Sequence, residues 1–339
     1  PNVIPVNENE FLSSGSTASN HLRKADVWIV HRYYPTMAPA ILNFKRQGKS
    51  VIIQTWGKDY LAYNLHNRIL LPTTQTIVHD DMGWNRNVGM QQTQLQEFRK
   101  PLQQKQWLGL FRKTHNNIDI TKRVFESVDC VMFCQSSESL DFTNSYNHGG
   151  IARFIYKKSE NYNSAENNDI QQILLNHTSN ESMNHFDAID ALANYQQPKR
   201  IVIPLSYGSK KNVQPILTYA KKKLTCEIQT LTSWLSFNDY IRTTSSCGIF
   251  IHYGLRQQAL GNLVDMIRQG KHIWCHSSGH AAKWLKQIGI KHLNEGDSYP
   301  EQSMSTKETE LNVYLLNEYV EKINFARRER LTSVIGEET

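Results

Sequence analysis

Residues Phe250 to Ile273 read FIHYGLRQQALGNLVDMIRQGKHI. An apolar run closes at His252, a loop carries Arg256, Gln257 and Gln258, and Gly261-Asn262 opens a segment of helical character reaching about Gln269. Ile273–Cys275 is the next apolar run. Strand, polar loop, helix and strand in that order form a βαβ unit, which pairs its strands in parallel. The start of such a helix presents free N–H groups and the positive end of its dipole, a combination suited to phosphate. Gly261 allows close approach of backbone to a ligand. Arg256 offers a bidentate fork to phosphate oxygens, and the two glutamines add amide donors. The competing explanation is a solvated polar loop in front of a core helix.

The same rhythm extends in both directions. Upstream, strands are expected at Ile173–Leu175, Arg200–Ile203, Cys226–Leu231 and Gly248–His252, with helices near Met183–Ala193, Asn212–Lys223, Phe237–Thr244 and Leu260–Gln269. Downstream, Ile273–Cys275 is followed by a helix over Gly279–Gln287. Alternation of this kind implies a parallel sheet with helices on both faces and ligands at the carboxyl ends of the strands. Two further strand ends carry polar groups. In LLNHTSNESMNH, Asn176, Thr178, Ser179 and Asn180 offer donors, whereas Ser182 reads as an ordinary helix N-cap. In VIPLSY, the strand ends at Pro204 and turns through Ser206 and Tyr207, a ring able to stack on a base or sugar or simply to pack.

The N-terminal half repeats the pattern less regularly. Strands are expected at Val27–Val30, Val51–Thr55 and Asp129–Phe133, and helices over Met37–Gln47 and Ile118–Glu126. A polar insert, Gly83–Asn117, separates them. The Asn-rich stretch 159–170 reads as a linker. This divides the chain into an N-terminal domain at 1–158, a C-terminal domain at 171–305, and a long amphipathic segment at 306–339 expected to return to the first domain. The sequence opens at Pro1 without methionine, and the first strand of the N-terminal domain is expected upstream of it.

Composition narrows the class. Hydrophobic residues make up 39% and charged residues 20% of 339, which describes a folded chain. The net charge of +7 suits a phosphate-bearing ligand, nucleic acid or an anionic membrane without choosing among them. No recognised nucleic-acid motif or dense basic helix is present, so no nucleic-acid partner is expected. Five scattered cysteines argue against a disulfide framework and for a reducing compartment. No apolar stretch approaches the roughly 20 residues that span a bilayer, and no signal peptide is visible.

Taken together, the blocks resemble the bacterial N-acetylfucosaminyltransferases of glycosyltransferase family 56. They are Trp56-Gly57-Lys58-Asp59-Tyr60, Pro204-Leu205-Ser206-Tyr207, Phe237-Asn238-Asp239-Tyr240 and Arg256-Gln257-Gln258-Ala259-Leu260-Gly261-Asn262-Leu263, with His31 in VHRYYPT. The resemblance runs from Val27 to about Trp274. One departure is Asn176-His177-Thr178, where relatives carry a Gly-Asn-Ser loop; another is the Gly83–Asn117 insert, which has little counterpart.

The resemblance implies a GT-B architecture: two Rossmann-like domains with a cleft between them and a C-terminal helix bracing the first. It implies transfer of a deoxyamino sugar from a nucleotide diphosphate, expected to be dTDP, to a polyprenyl-diphosphate-linked saccharide at the inner face of a bacterial inner membrane. A UDP- or GDP-sugar is the alternative donor. A non-catalytic nucleotide-sugar binder and a nucleic-acid-binding protein are the readings from other classes. Donor contacts are expected from Asn176, Thr178, Ser179, Pro204, Ser206, Tyr207, Tyr240, Arg256, Gln257, Gln258, Gly261 and Asn262. His31 and Asp59 are the candidate general bases. No metal and no cofactor are expected, in keeping with the lack of an Asp-x-Asp motif; the leaving diphosphate would be stabilised by Arg256 and the helix start. In the insert, Trp84, Phe98, Trp107 and Phe111 interleave with Arg99, Lys100, Arg112 and Lys113, a composition suited either to anionic headgroups or to a docked amphipathic helix.

Overall fold

The computed structural model describes residues 24–31, 33–55, 69–82, 119–134, 136–146, 151–153, 168–195 and 198–335. The chain forms two compact units. Unit 1 takes residues 1–65, 89–154 and 323–339, and unit 2 takes 66–88 and 155–322.

Unit 1 is built on a parallel sheet of four strands in the order β1-β2-β3-β4: Val27–Val30, Ser50–Gln54, Cys130–Phe133 and Ile151–Arg153. Of the first three helices, α1 (Ala38–Arg46) and α3 (Ser136–Ser145) belong to unit 1, whereas α2 (Pro72–Met82) belongs to unit 2. Residues 119–127 are also helical. Ile41 and Phe44 of α1 join Val51, Ile53, Phe125, Phe133 and Phe142 in one buried cluster. Burial of this many large apolar side chains is the main favourable term for the unit. Asp129, just before β3, knots the rim. Its carboxylate accepts from Lys45 Nζ at 2.7 Å and from Val51 N at 2.7 Å. Its carbonyl accepts from Arg330 at 3.2 Å.

Unit 2 carries a six-stranded parallel sheet in the order β10-β9-β8-β5-β6-β7. The strands are β5 Asp169–Leu175, β6 Arg200–Pro204, β7 Glu227–Leu231, β8 Cys247–His252, β9 His272–Cys275 and β10 Leu293–Asn294. The intervening helices are α4 His185–Ala193, α5 Val213–Lys223, α6 Phe237–Thr244, α7 Leu260–Arg268 and α8 His280–Ile288, followed by the long α9, Thr306–Ile335. The chain winds outward from β5 through β6 to β7. It then returns to the opposite side of β5 and winds outward through β8 and β9. This is the doubly wound arrangement, and its direction reverses between β5 and β8. Every residue of β8 is buried, as expected for a central strand covered on both faces.

Several helix starts are written locally. Ser236 accepts from Asp239 N at 3.2 Å ahead of α6, and Ser305 and Glu308 exchange side-chain-to-backbone bonds ahead of α9. Both are N-terminal capping arrangements. The last turns of α9 fall within unit 1, where Ser50 Oγ donates to Val334 O at 3.3 Å beside the Arg330 contact.

The structure departs from the sequence reading in specific places. β5 begins at Asp169, which pairs with Cys247, so the end of the stretch read as a linker is strand. The helix read from Met183 begins at His185, after a separate 3-10 turn at Glu181–Met183. Helices α2 and α3 and strands β4 and β10 had no counterpart in that reading. Residues 66–88, read with the N-terminal half, cluster with unit 2. The insert 83–117 and the Trp56–Tyr60 block, with Asp59, lie outside the described residues.

Candidate functional site

Two loops leave the reversal point of the unit 2 sheet: 176–184 after β5 and 253–259 after β8. The first is held by its own polar groups. Asn176 has φ of 59°, the left-handed region. Asparagine tolerates that region better than most residues. It therefore replaces the glycine expected in the related loop. Its N–H donates to Ile251 O at 2.8 Å, its Nδ2 donates to Met183 O at 3.1 Å, and its Oδ1 accepts from Tyr253 N at 3.1 Å. The three bonds join the β5 loop to itself, to β8 and to the loop that follows β8. Asn176 is thus a clamp, its side chain already engaged on both its amide nitrogen and its oxygen.

Thr178 and Ser179 behave similarly. The carbonyl of Tyr207 accepts from Thr178 Oγ1 at 2.6 Å, Ser179 N at 2.8 Å and Ser179 Oγ at 3.1 Å. Gly208 is required beside them: its φ is +108°, and a Cβ there would lie 2.4 Å from Thr178 Oγ1. Pro204 is the buried last residue of β6, and Ser206 and Tyr207 beyond it are exposed. The polar atoms of Thr178 and Ser179 thus fix the strand-end loop that presents Tyr207.

The second loop holds the charge. Arg256 is only 7% exposed. Its Nε donates to Ser182 Oγ at 3.3 Å and its Nη1 to Gln257 O at 3.1 Å. Gln258 grips the same serine, donating from Nε2 to Ser182 O at 2.8 Å and accepting from Ser182 Oγ at 3.1 Å. Ser182 is therefore the joint between the two loops. Read from the sequence as an N-cap, it sits instead within the 3-10 turn with its hydroxyl against Arg256 and Gln258. A serine three residues before a helix start looks the same in sequence whether it caps or bridges.

Beneath Arg256 lie histidines that stay neutral. His252 Nε2 bonds Gln258 O at 3.2 Å, so that nitrogen carries the hydrogen. Burial lowers the His252 pKa to about 4, with Arg256 adding to the effect. Burial lowers His185 to about 3. Burial, then nearby His252 and Arg256, also drives His177 well below its ordinary value. Desolvation disfavours the imidazolium in each case. At neutral pH the guanidinium of Arg256 is the charge this cluster contributes.

Helix α7 opens next to Arg256. Its N-cap position is Ala259, with φ of 57° and no side-chain cap bond. The first-turn N–H groups are the ones an α-helix leaves without intrahelical partners. Gly261 in that turn is exposed. Asn262, beside it, donates from Nδ2 to Tyr240 Oη at 3.3 Å. Burial raises the Tyr240 phenol well above its usual range, so it remains protonated. Two sequence blocks, Phe237–Tyr240 and Arg256–Leu263, thus meet in space.

In unit 1, His31 follows β1 directly and is exposed at the carboxyl end of that strand. Among the described residues no group of three or more His, Cys, Asp or Glu is placed to hold a metal ion. Asn184, which the sequence did not single out, is fully buried. It holds residues 69–71 through Leu71 N at 2.8 Å and Ile69 O at 3.2 Å, and it reaches Tyr253 O at 3.0 Å.

Comparison with known proteins agrees with this architecture. HepE of Anabaena, solved with UDP-glucose, superposes with a TM-score of 0.56 at 12% identity over 93% of this chain and 81% of its own. A UDP-forming α,α-trehalose-phosphate synthase from Burkholderia xenovorans gives 0.55 at 11% identity over 95% and 77%. Sucrose-phosphate synthase from Thermosynechococcus elongatus gives 0.50 at 10% identity over 93% and 71%. At these identities the likeness establishes the GT-B fold. No curated protein sequence matches the chain. The family described as 4-alpha-L-fucosyltransferase, glycosyl transferase group 56, matches residues 145–324, a stretch that contains both loops of the reversal point and α7. With more than half of its length accounted for by that family, this chain is a member of glycosyltransferase group 56 and a glycosyltransferase of GT-B fold.

Proposed function

We propose that the chain transfers a sugar from a nucleotide-diphosphate donor whose diphosphate rests at the reversal point of the unit 2 sheet. The observation that carries this reading is the junction of Arg256, Ser182 and Gln258 beside the uncapped start of α7. A guanidinium and the first-turn amides of a helix concentrate positive potential where a leaving diphosphate gains charge, and such preorganised donors stabilise that charge directly. The neutral histidines beneath the loop leave the guanidinium as the charged partner. Charge neutralisation then falls to protein groups. The fold neighbours HepE, solved with UDP-glucose, and a UDP-forming trehalose-phosphate synthase support a nucleotide donor.

We assign the donor base as thymine and the sugar as a deoxyamino hexose on the strength of the sequence blocks shared with group 56, with a lipid-diphosphate saccharide as acceptor in bacterial surface-polysaccharide synthesis. UDP is the alternative favoured by the fold neighbours. No described helix is long and apolar enough to cross a membrane. With the acceptor assigned as lipid-linked, we place the reaction peripherally at the inner face of the membrane. His31, exposed at a strand end, and Asp59 are the proposed bases for the acceptor hydroxyl.

Thermal unfolding with dTDP, UDP and GDP tests the reading, since a ligand that binds only the native state raises Tm. Stabilisation by one diphosphate, unchanged by EDTA, is expected. Arg256→Ala should weaken that affinity by about 10- to 150-fold, the loss of a charge-assisted contact of roughly 1.5–3 kcal/mol. Wild-type affinity in Arg256→Ala would remove the phosphate role. His31→Ala should slow turnover and leave donor affinity intact; turnover equal to wild type dismisses His31 as the base.

A further inference from the structure

Two aromatic side chains stand out on the carboxyl edge of unit 2. Tyr207 is 72% exposed and Trp234 is 83% exposed. A tryptophan in water is a poor use of apolar surface, and its value lies in what it contacts. Their positions are register-equivalent. β6 and β7 pair with Pro204 opposite Leu231, and Leu205 N donates to Leu231 O at 2.8 Å. Tyr207 and Trp234 each lie three residues beyond that last pair, on loops leaving adjacent strands at the same end of the sheet.

Both loops are tied to the Arg256 region. Tyr207 is presented by a backbone carbonyl that accepts three hydrogen bonds from Thr178 and Ser179, in the loop that also holds Ser182. Trp234 lies two residues before the Ser236 cap of α6, and Tyr240 of α6 accepts from Asn262 in the first turn of α7. The strand order β8-β5-β6-β7 places the two rings two and three strands from the Arg256 loop. At about 4.8 Å per strand, the nearer ring is offset by roughly 10 Å, the scale of a nucleoside extended from its diphosphate.

We propose that Tyr207 and Trp234 form the stacking platform for the nucleobase of the donor. This rests on the reading that the Arg256 loop holds the diphosphate. Each base has a π-face, and an exposed ring on a rigid backbone stacks on it with little further ordering. The platform adds affinity that inorganic pyrophosphate cannot use.

The test is titration calorimetry on the full chain with dTDP, UDP and inorganic pyrophosphate. Tyr207→Ala and Trp234→Ala are each expected to raise the Kd of the preferred nucleoside diphosphate between about fivefold and a hundredfold. Pyrophosphate affinity should not change, and Tyr207→Phe and Trp234→Phe, which keep a ring, should stay close to wild type. Tm of these surface variants should match wild type. Nucleotide affinity unchanged in both alanine variants overturns the platform while leaving the diphosphate reading standing. The same result with acceptor turnover lost assigns the rings to the acceptor and equally overturns it. Parallel weakening of pyrophosphate and nucleotide would show an indirect effect on the Arg256 loop and also defeats the proposal. A wild-type chain that binds neither nucleotide nor pyrophosphate removes both inferences together.

Discussion

The loops after β5 and β8 begin alike and end differently. Each follows a central strand, carries a string of polar residues and runs into a helix. In the β5 loop the polar atoms of Asn176, Thr178, Ser179 and Asn184 are engaged with protein backbone. In the β8 loop a guanidinium sits beside a helix start that no side chain caps. One loop is a fastening; the other is the loop to which the proposed function gives the diphosphate. The polar composition of a strand-end loop therefore does not identify a ligand site: similar strings of polar residues fasten one loop to backbone and, in the other, set a buried guanidinium beside a helix start.

The largest expected effect tests the fastening. Asn184→Ala strands Leu71 N, Ile69 O and Tyr253 O, two of them serving the segment that leads into α2. Unsatisfied buried groups make this a loss of about 3–5 kcal/mol in stability, measured by urea unfolding. A loss below about 1 kcal/mol would mean that water replaces those bonds and that the loop is no fastening. Asn184→Gly separates the two roles of the residue. It keeps the left-handed backbone, where φ is 53°, and removes the bonds, so it should fail nearly as badly.

An intermediate effect comes from the histidines between the loops. His252 is lowered to about 4 in the folded chain by burial. The unfolded chain therefore binds the extra proton first as pH falls. Stability from this group is complete above its unfolded value near 6.5, declines as pH drops, and is gone once pH has passed through about 4. The span corresponds to a loss on the order of 3 kcal/mol. Unfolding free energies measured from pH 7 to 4 should show this slope, and His252→Gln should flatten part of it. A slope identical in the variant would show that other groups carry the acid sensitivity.

The smallest effect concerns the helix start beside Arg256. Ala259 holds a left-handed conformation at the head of α7. Glycine removes a cost of about 1–2 kcal/mol there and adds roughly 0.5–1 kcal/mol of chain entropy to be lost. Ala259→Gly should therefore stabilise by about 1 kcal/mol or less, seen as a small rise in Tm, with nucleotide affinity preserved. A marked loss of affinity would show that the rigid alanine helps aim the amides of the helix start.

Much of unit 2 was visible in one dimension. β8 is six consecutive buried residues, so its apolar run is continuous; α6 opens on its own Ser236 cap and spans Phe237–Thr244, the range its sequence pattern predicts. The placement of Arg256 in a strand-end loop and of Gly261 in the first turn of a helix was legible because a strand, a polar loop and a glycine in a helix start form a local pattern. Helix α2 was not legible, for a physical reason. Its Thr73 and Thr74 N–H groups are capped by Asp187, more than a hundred residues away, at 2.9 and 2.7 Å. Only Pro72 at its first turn marks it locally. β10 has two residues and offers no period to read.

The sequence by itself determined the alternation of strands and helices, the parallel pairing this forces, and the residue types grouped at each strand end. All of these follow from apolar periodicity and short-range chemistry, which reach only a few residues along the chain. The tertiary structure decided which polar side chains bind their own backbone, as Asn176 and Asn184 do, and that Ser182 joins Arg256 to Gln258. It also decided that Tyr207 and Trp234 follow adjacent strands at the same end of the sheet. Those facts depend on strand order and register, set by burial and hydrogen bonding between segments far apart in the chain, where local pattern carries no information.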